Sequence, residues 1–300
     1  MVSKLNMDQV MGKAEILIEA LPYIQRYAGK IMVIKYGGSV MENQELKEKV
    51  IQDVAMLKLV GFRPVVVHGG GNEISKWSGS MGLTPKFIDG LRVTDSKTLK
   101  VTEMVLYSIN QELVSMLGQL GVKAVGLSGR DAGLIMAEKR TPNGVDMGYV
   151  GKIVKVNTEI INGMLKNDLV PVISPIGMGE DGHGYNINGD EVACEVAKAL
   201  KADKLAFLTD ADGLYEEHDD PDSLISEIYA EEAKAVIEGG GVVGGMLPKL
   251  ENCIGAVESG VSRVHILNGN VPHCVLLEFF SNRGVGTAIL SKKEKKYYHE

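Results

Sequence analysis

Two lysines lie beside clustered glycines. Lys35 ends an apolar run in Val33-Ile34-Lys35-Tyr36-Gly37-Gly38-Ser39, and Lys249 follows the glycine-rich stretch from Gly239 to Pro248. A further glycine turn, His68-Gly69-Gly70-Gly71-Asn72, closes the run Val65-Val66-Val67. Glycines at the carboxyl end of a strand let backbone N–H groups approach an anion closely, and a following helix adds partial positive charge. Tight turns alone would explain either loop by itself. Two such turns on successive strands, one beginning with a lysine, point to an anion site. Neither fits the GxxxxGK[ST] phosphate loop, which excludes a P-loop enzyme.

Other polar residues carry two readings each. Lys249 opens a helix predicted over 248–259, where a cation opposes the helix dipole by about a few tenths of a kcal/mol. A bound anion would reverse that penalty; a solvated surface lysine is the alternative. Arg92, in Gly90-Leu91-Arg92-Val93-Thr94, precedes a long helix and suits a bidentate carboxylate clamp. A salt bridge to Asp89 or Asp95 fits as well. Asp190, in Asn186-Ile187-Asn188-Gly189-Asp190, precedes a helix predicted over 191–201. It is either an N-cap or a buried carboxylate that orients the two lysines.

Several patterns are set aside. Gly177 to Gly182 matches GxGxxG formally, but a loop follows where a helix is required. The six histidines lack metal-ligand spacing. The acidic run Glu216–Asp222 reads as a solvated loop. No nucleophile elbow of the GxSxG kind is present. Cys194, Cys253 and Cys274 are widely spaced and predict neither a disulfide framework nor a zinc site.

The scaffold for these residues is legible in short β-rich runs at Lys30–Tyr36, Arg63–His68, Val122–Ser128, Leu169–Ser174, Lys204–Thr209 and Arg263–Asn268. They are apolar on both faces, which suits strands covered by helices on both sides. Between them lie helical patterns. The clearest covers 96–120, where Leu99, Thr102, Leu106, Ile109, Leu113, Met116 and Leu120 recur at helical spacing after a capping Asp95 or Ser96. Strand–helix alternation predicts an α/β fold, an αβα sandwich around a mainly parallel open sheet. The stretch 134–156 breaks the rhythm, and Asn143-Gly144 predicts an antiparallel excursion there. A lobe boundary falls near 202, giving lobes of 30–202 and 203–300 after an N-terminal segment, 1–29.

Composition narrows the function. The chain has 300 residues, 32 Lys+Arg against 39 Asp+Glu, a net charge of −7 and 45% hydrophobic residues. That apolar content excludes the disordered class, and the acidic balance argues against nucleic acid as a main partner. No apolar run approaches the roughly 18 residues of a membrane helix, and the charged first 30 residues are no secretory signal. The expectation is a cytoplasmic protein.

Taken in order, Lys35-Tyr36-Gly37-Gly38-Ser39, His68-Gly69-Gly70-Gly71, Gly90–Thr94, Asn186–Asp190, Leu208-Thr209-Asp210 and Gly245-Met246-Leu247-Pro248-Lys249 resemble the amino acid kinase superfamily, and within it the N-acetylglutamate kinases of arginine biosynthesis. The resemblance covers about residues 30–290. It implies ATP-dependent phosphorylation of the γ-carboxylate of N-acetyl-L-glutamate, with Mg²⁺ carried by the nucleotide. It implies that Lys35 and Lys249 stabilise the transferring phosphoryl group while Asp190 positions them. Gly70, Gly71, Arg92 and Asn186 would contact the acetylated amino acid in the first lobe. Gly37 and Gly38 would cradle phosphates, and Thr209, Asp210 and Tyr215 would belong to the nucleotide pocket of the second lobe.

The family also suggests regulation. Val10, Ala14, Leu17, Leu21, Ile24 and Ala28 make an amphipathic pattern over 7–28, interrupted by Pro22, which should kink the helix. Such a helix either packs on its own domain, frays, or, as in arginine-inhibited members, pairs with a neighbour to build a hexamer, a trimer of dimers. Glu278-Phe279-Phe280-Ser281-Asn282-Arg283-Gly284-Val285-Gly286-Thr287 resembles their arginine-binding loop, with Glu278 the natural partner for a guanidinium and Gly284 and Gly286 beside it. A terminal strand and turn is the plain alternative. A PII-type signalling protein is a partner by family analogy only. The competing functions are a glutamate 5-kinase, a carbamate kinase, or a non-catalytic sensor of arginine or nucleotide.

Overall fold

The computed structural model describes residues 7–217, 220–240, 242, 245–281 and 284–296. Outside these lie His218 and Asp219 of the acidic run, Gly241, Val243 and Gly244 of the glycine stretch, and Asn282 and Arg283 of the 278–287 segment. Residues 1–6 and 297–300 also lie outside the described residues.

The first half of the chain forms α1 (Met7–Glu19), α2 (Leu21–Tyr27), β1 (Ile31–Tyr36), α3 (Gln44–Leu59), β2 (Arg63–His68), α4 (Gly71–Ser80), β3 (Phe87–Ile88), β4 (Leu91–Arg92), α5 (Ser96–Gln119), β5 (Ala124–Ser128), β6 (Ile135–Lys139) and β7 (Gly151–Val156). The second half forms α6 (Glu159–Lys166), β8 (Val170–Ser174), β9 (Ile176–Met178), β10 (Gly184–Asn186), α7 (Gly189–Leu200), β11 (Lys204–Thr209), β12 (Glu227–Tyr229), α8 (Ala230–Glu238), α9 (Met246–Glu258), β13 (Arg263–Asn268), α10 (Cys274–Phe280) and β14 (Thr287–Leu290).

One sheet, in the order β12-β14-β13-β11-β1-β2-β8-β5, carries every strand expected from the β-rich runs. Those strands pair in parallel throughout. The edge pair was not expected: β14 runs antiparallel to β13, and β12 pairs parallel with β14. The excursion is real, since β6 and β7 are antiparallel and join β9 and β10 in a smaller sheet. Asn143 and Gly144 sit at positive φ in the connection between them, although they do not form a two-residue hairpin.

Strand alternation divides the core into two layers. Met32, Ile34, Tyr36, Val66, Ala206 and Leu208 pack with α3, α5 and α10. Val33, Val65, Val67, Leu205 and Phe207 pack with α6, α7, α8 and α9. This is the αβα sandwich. It also sends Lys35 to the face of Val33, toward α7, and His68 to the face of Val66, toward α5.

Helix boundaries follow local hydrogen bonding. Asp95 caps α5 by accepting from Thr98 N at 2.7 Å. Leu117 takes a core position on α5, whereas Leu120 is exposed. The cap of α7 is Asn188, whose side chain accepts from Asp190 N and Glu191 N, so α7 begins at Gly189 rather than 191. α9 begins at Met246, two positions before the expected start, which places Pro248 and Lys249 in its first turn. The N-terminal pattern splits at Ala20, with Pro22 in the first turn of α2. No helix among the described residues is long and apolar enough to cross a membrane.

Candidate active site

Three elements bring opposite charges together. Lys35 comes from the end of β1, Asp190 from the first turn of α7 and Lys249 from the first turn of α9. Lys35 Nζ lies 2.8 Å from Asp190 Oδ1, and Lys249 Nζ donates to Asp190 Oδ2 at 3.0 Å. The first contact is an ion pair at hydrogen-bonding distance. Burial alone would push the Asp190 carboxyl up; the two ammonium groups outweigh it and hold the pKa at about 2. Asp190 therefore stays ionised at neutral pH between two cations. Of its two readings, the carboxylate that orients the lysines is the observed geometry, since Asn188 does the capping.

The glycine turns are shaped by close approach. A β-carbon on Gly37 would lie 2.5 Å from Lys35 Nζ. One on Gly70 would lie 2.8 Å from Ile109 Cδ1 and 2.9 Å from Leu106 Cδ2, because α5 packs directly against that turn. Larger residues would displace the ammonium group or the helix.

A cavity of about 790 Å³ opens before these turns, with Lys35, Gly38, Gly70, Gly71, Arg92, Asn186 and Asp190 among its walls. Arg92, on β4, donates through Nη2 to the Gly71 carbonyl at 2.7 Å and to Ser75 Oγ at 2.8 Å. Its Nη1 is buried with no hydrogen-bond partner among the described residues. The Phe87 ring lies 4.7 Å from its guanidinium carbon. Neither Asp89 nor Asp95 pairs with it among the described ion pairs, so the salt-bridge reading is not the one observed. Asn186 Nδ2 donates to Thr94 Oγ1 at 3.2 Å, and that hydroxyl donates to the Arg92 carbonyl at 2.7 Å. Two segments distant in the chain are thereby joined at the same wall.

Other expected residues are not gathered there. Thr209 and Asp210 lie at the end of β11, outside the cavity lining, although Asp210 faces Gly38: a β-carbon on Gly38 would lie 3.6 Å from Asp210 Oδ1. Tyr215 Oη donates to Asp212 Oδ2 at 2.9 Å, and its residue lines a separate cavity of about 530 Å³ with Leu224, Ile228 and Lys296. Ser75, Phe87 and Thr94 were missed by sequence reasoning. Only their spacing hinted at them: Ser75 lies one helical turn after Gly71, and Thr94 lies two residues beyond Arg92.

Glu278, expected to be open to a guanidinium, is buried on α10. Its Oε1 lies 2.7 Å from His265 Nδ1, and its Oε2 accepts from Val285 N at 2.9 Å. Beside this pair, Lys204 Nζ lies 3.4 Å from His265 Nε2 and sits 4.8 Å from the Tyr27 ring centroid and 5.0 Å from that of Phe279. Burial, reinforced by Arg263, brings the Lys204 ammonium down to about 7. Burial, reinforced by Lys204, brings His265 down to about 4. Gly286 abuts the Ile266 carbonyl, and Gly284 lies in the loop that leads to β14.

Residues 30–268 match the amino acid kinase family, a span that contains every element of the lysine–aspartate cluster. This chain belongs to the amino acid kinase family. Among its relatives, the acetylglutamate kinase of Caldanaerobacter subterraneus subsp. tengcongensis is 51% identical over 290 residues, covering 96% of this chain and 97% of that protein. The acetylglutamate kinase of Campylobacter jejuni subsp. doylei is 52% identical over 283 residues, covering 94% and 100%. Within the amino acid kinase fold, N-acetylglutamate synthase from Neisseria gonorrhoeae, solved with coenzyme A and N-acetyl-glutamate, superposes with a TM-score of 0.84 at 28% identity. The match covers 93% of this chain but spans only 63% of that one. The same synthase solved with coenzyme A and L-arginine gives a TM-score of 0.79, at 27% identity over 93% of this chain and 65% of that one.

Proposed function

We propose that this chain is an acetylglutamate kinase, transferring the γ-phosphoryl group of ATP to the γ-carboxylate of N-acetyl-L-glutamate in arginine biosynthesis. The observation that carries the reading is the Lys35–Asp190–Lys249 cluster, whose Lys35 and Asp190 line a cavity that Arg92 also walls. A cation cluster for a phosphoryl group and a guanidinium for a carboxylate stand in one space. The near-full-length acetylglutamate kinase relatives support the same choice of substrate.

The chemistry needs no general base. A γ-carboxylate has an unperturbed pKa of about 4.3 and is already a nucleophile at neutral pH. The obstacle is bringing one anion against the negative phosphates of another. Lys35 and Lys249 answer it with charge placed in advance, and Asp190 holds both ammonium groups without neutralising the pair. Gly70 and Gly71 offer backbone N–H groups, Arg92 takes the α-carboxylate, and Asn186 stands beside it. In this reading ATP lies over the 203–300 lobe, with its phosphates against Gly37 and Gly38 and its remainder near Thr209, Asp210 and Tyr215. Mg²⁺ enters with the nucleotide.

Regulation belongs to the same proposal. L-Arginine binds near Glu278, Gly284 and Gly286 and inhibits the enzyme. The buried Lys204–His265–Glu278 row supports this, because the Tyr27 ring of α2 lies over Lys204 and links that region to the N-terminal helices. Met11, Ile16, Leu17 and Ile18 of α1 are exposed, which supports pairing with a second copy in a cytoplasmic hexamer. A PII-type partner has no residue here to support it.

The test is acyl-phosphate formation from ATP, Mg²⁺ and N-acetyl-L-glutamate, trapped with hydroxylamine as the hydroxamate. Product that requires the acetylated substrate, and declines as L-arginine is titrated in, is the expected result. A folded protein that makes hydroxamate from glutamate instead, or none at all, overturns the assignment.

A further inference from the structure

His68 ends β2 on the face turned to α5, and its side chain is fully enclosed. Its Nδ1 lies 2.8 Å from the Gly69 carbonyl oxygen, and its Nε2 lies 3.1 Å from Asn110 Nδ2. Asn110, buried on α5, also donates through Nδ2 to the Val172 carbonyl at 2.9 Å. An amide nitrogen carries two protons and cannot accept. One proton serves Val172, so the other goes to His68 Nε2, which accepts it. The ring proton is then on Nδ1 and donates to Gly69. Desolvation holds the imidazole pKa down at about 4, so the ring is neutral at physiological pH.

The next step follows from peptide geometry. The Gly69 carbonyl and the Gly70 N–H belong to one planar trans unit and point in opposite directions. Drawing the carbonyl toward His68 turns the Gly70 N–H away from the core, to the side where Gly69, Gly70, Gly71 and Lys35 wall the cavity. The Gly69 N–H is itself held by the Tyr36 carbonyl at 2.7 Å, so the peptide units on both sides of Gly69 are locked. We infer that His68 and Asn110 are positioning residues: a buried relay, anchored on Val172, that aims the Gly70 N–H at the reacting γ-carboxylate of the bound substrate. The inference rests on the kinase reading of this cavity. It explains why a polar pair is buried under a glycine turn where apolar packing would otherwise suffice.

His68→Asn and His68→Leu separate this role from simple packing. An asparagine amide can occupy the place of Nδ1 and keep a donor for Gly69, whereas leucine fills the volume without one. His68→Leu and Asn110→Leu are expected to lose about 10²-fold in kcat, the scale of a misaligned reacting group, with KM for N-acetyl-L-glutamate changed far less. His68→Asn should recover about tenfold or more of that loss. A folded His68→Leu with wild-type kcat, or one that equals His68→Asn, overturns the relay. A second measurement needs neither substrate nor variant: the imidazole ¹⁵N shifts of His68 in the wild-type protein. A protonated Nδ1 with an unprotonated Nε2 is expected, and the reverse tautomer overturns the inference. If wild-type protein makes no hydroxamate, the kinase reading fails by that result, while the tautomer still judges the relay.

Discussion

At the scale of single residues, the site depends on where fixed charges sit. Lys35 and Lys249 share one carboxylate, and of the two Lys35 lines the cavity directly. Lys35→Ala or Lys249→Ala should lower kcat by roughly 10²–10³-fold, the scale for losing one preorganised stabiliser. Hydroxamate formation at saturating substrates measures it, and near-normal turnover would remove that lysine from the mechanism. Lys→Arg should not restore full activity, because a planar fork replaces a compact point charge. Ser75 acts at a distance from the chemistry. It accepts from Arg92 Nη2 and so holds the guanidinium in the cavity wall. Ser75→Ala should raise KM for N-acetyl-L-glutamate by about tenfold or more, the value of one hydrogen bond to a charged group, with kcat nearly constant. A fall in kcat at constant KM would assign Ser75 another role.

At the scale of elements, two predictions concern helix ends. Asn188 supplies the cap of α7 with its side chain, and Asp190 stands in that helix's first turn. Asn188→Ala should cost about 1 kcal/mol in denaturant unfolding, the usual value of an N-cap. An unchanged midpoint would show that the cap is replaced from elsewhere. The other end of the chain carries α1, whose Ile16, Leu17 and Ile18 are exposed to 66%, 65% and 68%. Three adjacent apolar residues so exposed on one helix mark a surface that gains from being covered. If the proposed hexamer and arginine inhibition hold, deleting residues 1–26 should abolish hexamers in sedimentation and weaken the inhibition while dimers keep activity. Hexamers that persist after the deletion would place assembly elsewhere.

At the scale of the whole molecule, stability depends on groups buried in their neutral form. His68 and His265 have pKa values of about 4 in the fold, against about 6.5 in an unfolded chain. Between those values the unfolded chain binds more protons, so stability rises with pH from about 4 to 6.5. Lys204 extends the trend. Its folded value is about 7 against 10.5 unfolded, so its penalty is full below about 7 and fades as pH approaches 10.5. Melting temperature should therefore climb from about pH 4 to about 8.5 at constant ionic strength, above which the buried thiols of Cys194 and Cys274, pushed up to about 12, act in the opposite direction. Lys204→Met should flatten the upper window alone; a variant that keeps the full rise would exclude Lys204 as its source.

What the sequence determined by itself was local or periodic. The β-rich runs became parallel strands because apolar residues on both faces fit only a sheet covered on both sides. Asp95 and Pro22 marked a helix start and a helix break through bonds that reach no further than one turn. The ordered glycine and lysine motifs resemble those of the amino acid kinases, the family to which the chain belongs. Tertiary structure alone decided what those motifs meet. Lys249 and Asp190 are 59 residues apart in the chain, and their contact is set by α7 packing against α9, which no local pattern encodes. The same holds for Glu278, whose burial against His265 follows from α10 lying against β13, and for His68, whose partner Asn110 lies 42 residues away. Short-range hydrogen bonding and side-chain period are written along the chain; which charge lands beside which is fixed by strand order and helix packing.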